Sequence, residues 1–345
     1  MHRTWMAGAA MALGAMGAWG ASGALAATGG SYRDWAMTCS VGLDCSASTF
    51  SAGEASVASL SLHRGPGADD APQLVIGLRD AGPLSGNVTM RFENGPSREL
   101  PASAFKADSE GLSLSTGAAD WLADLRQAPK VEIALTVGGK AESTSFSLSG
   151  LVATLRKMDE DQQRTGTESA LIDKGGNPLP DRAGLPLDIA DAEALPPSVR
   201  KLWSEGPAAC SDFGDAPPSP LGFSLPIAEG TRLYVLACGM AGAYNAPSRL
   251  YSESGDVADI VPVASMSAEG PVASLELWNV DWSGDRLVSF FKGRGIGDCG
   301  SYAEYRIDPD AGLLTLLEER SQPDCNGEGD VGSWPQTWPL KGAKR

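Results

Sequence analysis

The feature of this sequence that most restricts its fold is an alternation of apolar and polar residues in short segments. The clearest segment, VEIALTV, places Val131, Ile133, Leu135 and Val137 on one face. A period of two is typical of a strand with one buried and one solvated face, the usual pattern of antiparallel sheets. Similar segments are SVASLSLH, QLVIGLR, NVTMRFE and TSFSLSG, with turn-forming Gly, Pro, Asn and Asp between them.

The second half of the chain repeats this pattern after an irregular segment. Residues 166–197 are rich in Pro, Gly and Asp without a sustained period, which is typical of a linker. RLYVLACG, ASLELWNV, RLVSFF, YAEYRI and LLTLLEE then predict strands, whereas AADWLADLRQ, LSGLVATLRKMDEDQQR and SVRKLWSEG have helical spacing. We therefore predict a mainly β fold with a few short helices. It forms two disulfide-bonded antiparallel β domains, at 28–165 (ending in a helix) and 198–345.

The first 26 residues predict a secretory signal peptide. His2 and Arg3 give a positive start, no charged residue follows before Arg33, and the ALA at 24–26 is a small-x-small cleavage site. A retained membrane anchor is the alternative, but the Gly and Ala content and the cleavage site favour removal. No later stretch approaches the ~20 apolar residues of a membrane span. We expect a periplasmic or secreted protein without a transmembrane segment after signal cleavage.

The charge of the chain restricts its partners. It has 27 Lys and Arg against 43 Asp and Glu, a formal net charge of -16. Such an acidic surface repels nucleic acid and anionic lipid. We therefore expect no nucleic-acid partner, and the sequence leaves the protein or envelope partner unidentified.

The cysteines predict a disulfide framework, because an even number in an exported chain usually forms pairs. They are Cys39, Cys45, Cys210, Cys238, Cys299 and Cys325. A zinc site would need close C-x-x-C pairs or mixed Cys and His ligands, which the sequence lacks. Cys39 and Cys45 are close enough to close one hairpin, and each domain should be bonded internally. We predict the pairs Cys39–Cys45, Cys210–Cys238 and Cys299–Cys325.

Few residues in the chain suit catalysis. After signal cleavage His63 is the remaining histidine, and no G-x-S-x-G elbow provides a serine for a triad. Disulfide-bonded cysteines carry no thiolate. We assign no catalytic, cofactor-binding or metal-binding residue and favour a non-catalytic protein. Abundant carboxylates keep one alternative open, a carboxylate-dependent hydrolase of cell-wall or sugar polymers.

The segment SFFKGRGIGDCGSYAEY contains the glycine spacing of a dinucleotide-binding fingerprint, at Gly295, Gly297 and Gly300. That fingerprint needs a following helix to receive a pyrophosphate. SYAEYRI instead alternates as a strand. We therefore interpret the glycines as a tight hairpin connection anchored at Cys299.

Two cations of this loop are the possible partner-binding residues. Lys292 and Arg294 could be presented to an anionic or protein partner by a rigid loop. The alternative is that both charges are solvated or pair with Asp298 and Glu304. We expect Arg294 to matter more than Lys292, because its planar guanidinium binds two acceptors at once.

Several segments together resemble a family of exported proteobacterial proteins, the domain-of-unknown-function family numbered 1176. They are the D-W-x-x-x-C at 34–39, the KGRGIGDCG at 292–300, Cys325, and the W-P-x-x-W at 334–338. The resemblance spans nearly the whole mature chain. It implies an exported protein and supplies no reaction, substrate or catalytic residue.

The first domain is also similar to the invasion-associated locus B proteins of bacteria. The shared features are the early Trp-x-x-x-Cys at 35–39 and a strand, Leu-Ser-Gly-Leu, helix ending at 148–151. We predict an uncharacterised periplasmic or envelope-associated protein that acts as a non-catalytic binding or structural module. A deep cleft with two facing carboxylates of raised pKa would favour the hydrolase, whereas an exposed aromatic patch would favour the binding module.

Overall fold

The structure is a computed structural model, and the sequence-predicted signal peptide lies outside its described residues except for Ala26. None of the helices it describes has the length and apolar content needed to cross a membrane. The described residues are 26–339 without 53–54, 80–81, 109–110, 115–117, 183, 207–208, 211, 215, 284–285, 309–312 and 328.

The first half of the chain contains two antiparallel sheets and two helices. The sheets have the strand orders β1-β2-β3-β4-β5-β9-β8 and β11-β10-β6-β7. The bounds are β1 Ala26–Tyr32, β2 Trp35–Ser40, β3 Cys45–Phe50, β4 Val57–Arg64, β5 Gln73–Leu78, β6 Leu84–Phe92, β7 Ser97–Pro101, β8 Phe105–Asp108, β9 Gly111–Leu114, α1 Ala118–Gln127, β10 Lys130–Val137, β11 Lys140–Ser147 and α2 Leu151–Asp161.

One apolar core joins the sheets and helices of this half. The four alternating residues of β10 are all buried in it, as the sequence predicts. Trp121 and Leu125 of α1 and Leu155 and Met158 of α2 face the same core. The helical spacing of both segments therefore marks the faces that pack on the sheets.

The second half contains two larger sheets and a separate hairpin. The sheets have the orders β12-β13-β14-β15-β16, with β19 also paired to β15, and β20-β21-β22-β23-β24. The bounds are β12 Leu187–Ile189, α3 Pro197–Ser204, β13 Gly222–Ala228, β14 Thr231–Ala237, β15 Pro247–Ser254, β16 Val257–Ile260, β17 Val263–Ser267, β18 Gly270–Ser274, β19 Leu277–Trp278, β20 Asp281–Ser283, β21 Arg286–Lys292, β22 Gly300–Asp308, β23 Leu313–Gln322 and β24 Gln336–Trp338.

The central strand β14 is buried on both faces. Leu233 and Val235 belong to a core shared with the five-stranded sheet, whereas Tyr234 and Leu236 pack in a second core with Trp203 of α3. The predicted fold class is confirmed, because the described chain is mainly β, its strands pair in antiparallel sheets, and three α-helices are present.

The structure joins the cysteines in the predicted pairs, Cys39–Cys45, Cys210–Cys238 and Cys299–Cys325. The first pair links facing positions of β2 and β3. The other two close loops with sequence separations of 28 and 26 residues. In the loop-entropy description, a loop of that length stabilises the folded chain by about 3.5 kcal/mol.

The segment 166–197, predicted as a linker, lies against both halves. Leu171 packs in the first core, and β12 pairs with β13 of the second half. Asp188 also accepts hydrogen bonds from the Ser40 hydroxyl and from the Gly42 backbone N–H. Val41, in the same β2–β3 turn, is buried in the second-half core. We propose this segment as the connection between two domains that are also held together by packing.

Limited proteolysis tests this domain boundary. We expect the first internal cut in 173–178, where every residue is exposed. The two fragments should stay associated in native mass spectrometry, because the β2–β3 turn packs on the second half. First cuts inside either half, or immediate loss of both halves, would contradict the proposed boundary.

Candidate functional site

The segment 292–300 connects β21 to β22 as a hairpin loop. Strand β22 begins at Gly300, directly after the glycine-rich stretch. A dinucleotide fingerprint places a helix N-terminus there. The interpretation of the segment as a hairpin connection therefore agrees with the described backbone.

Two of the glycines have conformations that favour glycine. Gly297 has a φ of 67° and Gly300 a φ of 137°. A Cβ on Gly300 would lie 1.9 Å from the carbonyl oxygen of Phe291 on the neighbouring strand. Gly295 has no positive φ, and a Cβ there would meet only the Tyr244 ring, at 3.5 Å. The close strand contact at Gly300 thus requires the absence of a side chain there.

Arg294 pairs with Asp298 inside the loop. Its Nε donates to Asp298 Oδ1 at 2.7 Å, and its Nη2 donates to the other carboxylate oxygen. Asp298 is fully buried and also accepts the Gly327 N–H at 2.6 Å. Glu304, the other sequence-proposed partner of Arg294, pairs with Arg286 instead. The Arg294 guanidinium therefore stabilises the loop from within and is still about half exposed.

Lys292 is held through its backbone and its ammonium. Asn245 donates to the Lys292 carbonyl at 2.8 Å and accepts the Lys292 N–H at 2.9 Å. The Lys292 Nζ lies 5.5 Å from the centre of the Phe290 ring, which suits a cation–π contact. The backbone of Lys292 is thus held in place, and its side chain is partly exposed.

A second asparagine links the neighbouring loop to β21. Asn279 has a φ of 44° and donates to the carbonyls of Phe290 and Tyr244, while its Oδ1 accepts the Ala246 N–H. The Cys299–Cys325 disulfide holds the other side of the 292–300 loop. These covalent and polar contacts fix the loop.

Apolar side chains are exposed on this fixed framework. The fractional exposure is 71% for Ile296, 40% for Tyr244 and 36% for Phe291. The Tyr244 hydroxyl donates to the Gly293 carbonyl, so its ring lies along the loop. We call the surface formed by Tyr244, Lys292, Arg294 and Ile296 the loop face, whereas Phe291 points to the opposite side of β21 from Lys292 and contacts the Trp278 ring. The loop face combines apolar and cationic groups that the fold presents to solvent.

The sequence singled out the two cations of the loop face but not its apolar members. Tyr244 comes from a different hairpin, and its contact with the loop depends on Asn245 and Asn279. An exposed Ile inside a glycine-rich run has no periodic signal. Asn279 is a local signal for a turn, because asparagine tolerates the positive φ that it has here.

The chemistry of a metal site does not fit this loop. Asp298, Cys299 and Cys325 have potential ligand atoms within 4.8 Å of one another. The two sulfurs are bonded to each other, however, and a disulfide offers no thiolate ligand. The carboxylate is already occupied by Arg294 and by a backbone N–H.

Buried carboxyl groups elsewhere are engaged with the backbone. Burial raises the pKa of Asp159 and of Asp281. Both oxygens of Asp159 accept backbone N–H groups of Leu171 and Ile172, and Asp281 accepts that of Trp282. These contacts match structural roles, so the hydrolase alternative gains no support from either group. His63, the histidine that remains after signal cleavage, lies within strand β4.

The Arg294–Asp298 pair makes a prediction about acid pH. The hydrogen bond from Arg294 lowers the pKa of Asp298 to about 2 from an ordinary 3.8. A depressed carboxyl pKa stabilises the folded state above the ordinary value, and that contribution is lost as the pH falls towards 2. Carboxyl-carbon NMR titration should show a pKa near 2 in the wild type and a higher one in Arg294→Ala. Lys292→Ala is the control. An unchanged Asp298 pKa in Arg294→Ala would contradict the pairing.

Comparison with known proteins places the chain in a family. Residues 30–341 match the family described as "Protein of unknown function (DUF1176)", and the chain belongs to this family. The sequence resemblance to that family is thereby confirmed.

Two individual proteins are similar to parts of the chain. "Uncharacterized protein YpfG" from Escherichia coli (strain K12) is 30% identical, over 56% of this chain and 59% of that protein. The chain thus spans less than two thirds of this relative. The crystal structure of invasion associated protein B from Bartonella henselae is weakly similar, with a TM-score of 0.31 and 14% identity. That match covers 39% of this chain and 99% of the other.

Proposed function

We propose that this protein is an exported, non-catalytic binding module and that its loop face contacts a protein partner. The exposure of Ile296, at the tip of a loop fixed by a disulfide, an ion pair and two asparagines, carries the proposal. A rigid loop loses little conformational entropy on binding, so contacts made there convert efficiently into affinity.

The chemistry of the loop face suggests the kind of surface it fits. Ile296 and Tyr244 supply apolar anchors, whereas Lys292 and Arg294 supply donors beside them. Exposed apolar groups rimmed by polar ones are typical of protein contact sites. We infer a protein surface with an apolar pocket and neighbouring carbonyl or carboxylate acceptors.

Export is the other part of the proposal. Three disulfides form most readily in oxidising compartments such as the periplasm. The signal-like N-terminus, with its small residues at 24–26, agrees with this location. Mass spectrometry of the protein from a periplasmic fraction should find a mature N-terminus at residue 27. A full-length chain confined to the cytoplasm would refute export.

The binding role can be tested with matched charge insertions. Ile296→Asp should reduce capture of native partners from a periplasmic extract at least about tenfold, because a central apolar anchor carries much of the binding energy. Val257→Asp is the control, since Val257 is 65% exposed on the edge strand β16. Both variants should have the unfolding transition of the wild type. Equal capture by Ile296→Asp and wild type, or equal loss in both variants, would refute a role of the loop face.

A further inference from the structure

A cavity of about 340 Å³ opens in the first half of the chain. It lies between the β4–β5 loop, helix α1 and the segment that follows α2. This volume is at the lower end of the range of small-molecule sites. Its walls are formed by Arg64, residues 68–72, Leu122, Ala123, Arg126, residues 169–171 and Lys174.

The inner wall of the cavity carries a buried arginine. The Arg64 side chain is 4% exposed. Its Nε donates to the Asp70 carbonyl at 3.0 Å and its Nη2 to the Ser169 carbonyl at 2.6 Å, and its Nη1 lies 3.5 Å from Asp159. Asp70 and Ser169 also line the cavity, so the guanidinium is fixed within its wall.

Positive charge exceeds negative charge around this wall. Arg182 donates to the Gln162 carbonyl, but its Nε and Nη1 are buried without an acceptor among the described residues. A buried donor without an acceptor is costly, and a surplus of positive charge attracts an anion. The cavity wall itself carries Arg64, Arg126 and Lys174 against Asp69 and Asp70. Close to the wall lie two more cations, Arg164 and Arg182, and two more carboxylates, Asp159 and Asp173.

The rim of the cavity carries two exposed cations, Arg126 and Lys174. Asp70 accepts the Gly67 N–H at 2.6 Å, and Arg126 donates to the Leu171 carbonyl at 3.0 Å. Lys174 is exposed, and its ammonium has no acceptor in the part of the chain that the structure describes. Leu122 and Pro72 provide apolar wall beside it.

We propose that this cavity binds a small organic acid, with its carboxylate towards Arg64 and Lys174 and its apolar part against Leu122 and Pro72. The cations favour the negative group, and the apolar wall removes a short hydrocarbon chain from water. The site is separate from the loop face, because its walls come from residues 64–126 and from the start of the 166–197 segment.

Titration with hexanoate followed by amide NMR tests the proposal, using the full mature chain at constant ionic strength. Hexanoate should cause saturable shifts of the amides of Ala123, Leu171 and Lys174, with a Kd of about 1–10 mM for so small a ligand. Acetate should bind more weakly because it lacks the apolar part. Hexanamide should not bind because it lacks the charge.

Variants of the exposed lysine locate the binding. Lys174→Gln should weaken hexanoate about threefold and Lys174→Glu about tenfold, since a rim charge acts through a partly screened attraction. Lys140→Glu, an exposed lysine at the start of β11, should leave the affinity unchanged. The proposal is overturned by shifts that do not saturate, by equal binding of hexanamide, by tighter binding of inorganic phosphate, or by a Lys174→Glu variant with wild-type affinity.

Discussion

Gly300→Ala is expected to destabilise the protein by about 3 kcal/mol or more. The new Cβ would lie 1.9 Å from the Phe291 carbonyl oxygen, whereas a non-bonded carbon and oxygen normally stay about 3.3 Å apart. Alanine is also strained at a φ of 137°. The two strands must separate at Lys292↔Gly300, where β21 and β22 pair beside the Cys299–Cys325 disulfide. The strain and the lost packing add to each other.

Urea denaturation followed by tryptophan fluorescence gives the measurement. Gly295→Ala is the matched control in the same loop, because its φ is not positive and the nearest atom to a Cβ lies 3.5 Å away on a side chain. We expect its free energy of unfolding to change by less than about 1 kcal/mol. Gly297→Ala should lie between the two, since it has only the conformational penalty and a 3.3 Å contact with Phe290. Similar stabilities for Gly300→Ala and Gly295→Ala would show that the close strand contact is wrong.

Arg164→Ala is expected to cost about 3–5 kcal/mol of unfolding free energy. The Arg164 side chain is fully buried after α2. It donates to the carbonyls of residues 65–67, to Gln162 Oε1 and to the Ser169 hydroxyl. Burial, with repulsion from Arg64 and Arg182, lowers its pKa to about 10. Removing this fully buried guanidinium leaves the buried Gln162 Oε1 without its donor and removes a donor from the partly buried carbonyls of 65–67, which costs more than the loss of an ordinary hydrogen bond.

Arg156→Ala is the control for this arginine. Arg156 lies on α2 and pairs with Asp173 at the surface, where both side chains are about half exposed. A solvated ion pair of this kind contributes less than about 1 kcal/mol. Thermal unfolding of both variants at equal pH and salt should therefore separate them clearly. Equal losses of unfolding free energy in the two variants would mean that Arg164 does not stabilise the loop at 65–67.

The local patterns of the sequence predicted the elements well. The alternation in VEIALTV gave the buried face of β10, and the helical stripes of residues 118–127 and 151–161 gave the faces of α1 and α2. These patterns are reliable because burial on one face directly selects the residue type at each second or third position. The glycine-rich loop was predicted as a hairpin connection for the same reason. SYAEYRI has the alternation of a strand and not the spacing of the helix that a dinucleotide fingerprint requires.

The buried arginines could not be predicted from local pattern. An arginine in a polar segment is usually solvated. Arg164 is buried because the carbonyls that satisfy it belong to residues 97–99 positions away, in the loop after β4. The contact of Asp188 with the β2–β3 turn spans 146 residues and is equally invisible in the sequence. Long-range polar contacts therefore position the loop after β4 and the β2–β3 turn, which the alternation of apolar residues does not predict.

The loop face was only half predictable for a related reason. Lys292 and Arg294 stand out as cations within a glycine-rich run, but the sequence could not show that Asp298 would occupy the Arg294 guanidinium. Tyr244 reaches the loop because Asn279 binds the carbonyls of both Tyr244 and Phe290. The apolar part of the surface is thus a product of tertiary structure.

Site-specific photo-cross-linking in living cells tests the central claim most directly. A photoreactive amino acid at position 296 should form a discrete cross-linked adduct with a periplasmic protein, because Ile296 is the most exposed apolar member of the loop face. The same amino acid at position 257, on the edge strand β16, should form no such adduct. Adduct formation at 296 should disappear in Gly300→Ala, which distorts the loop. Absence of any adduct at 296, or the same adduct at 296 and 257, would contradict the loop face as the binding surface.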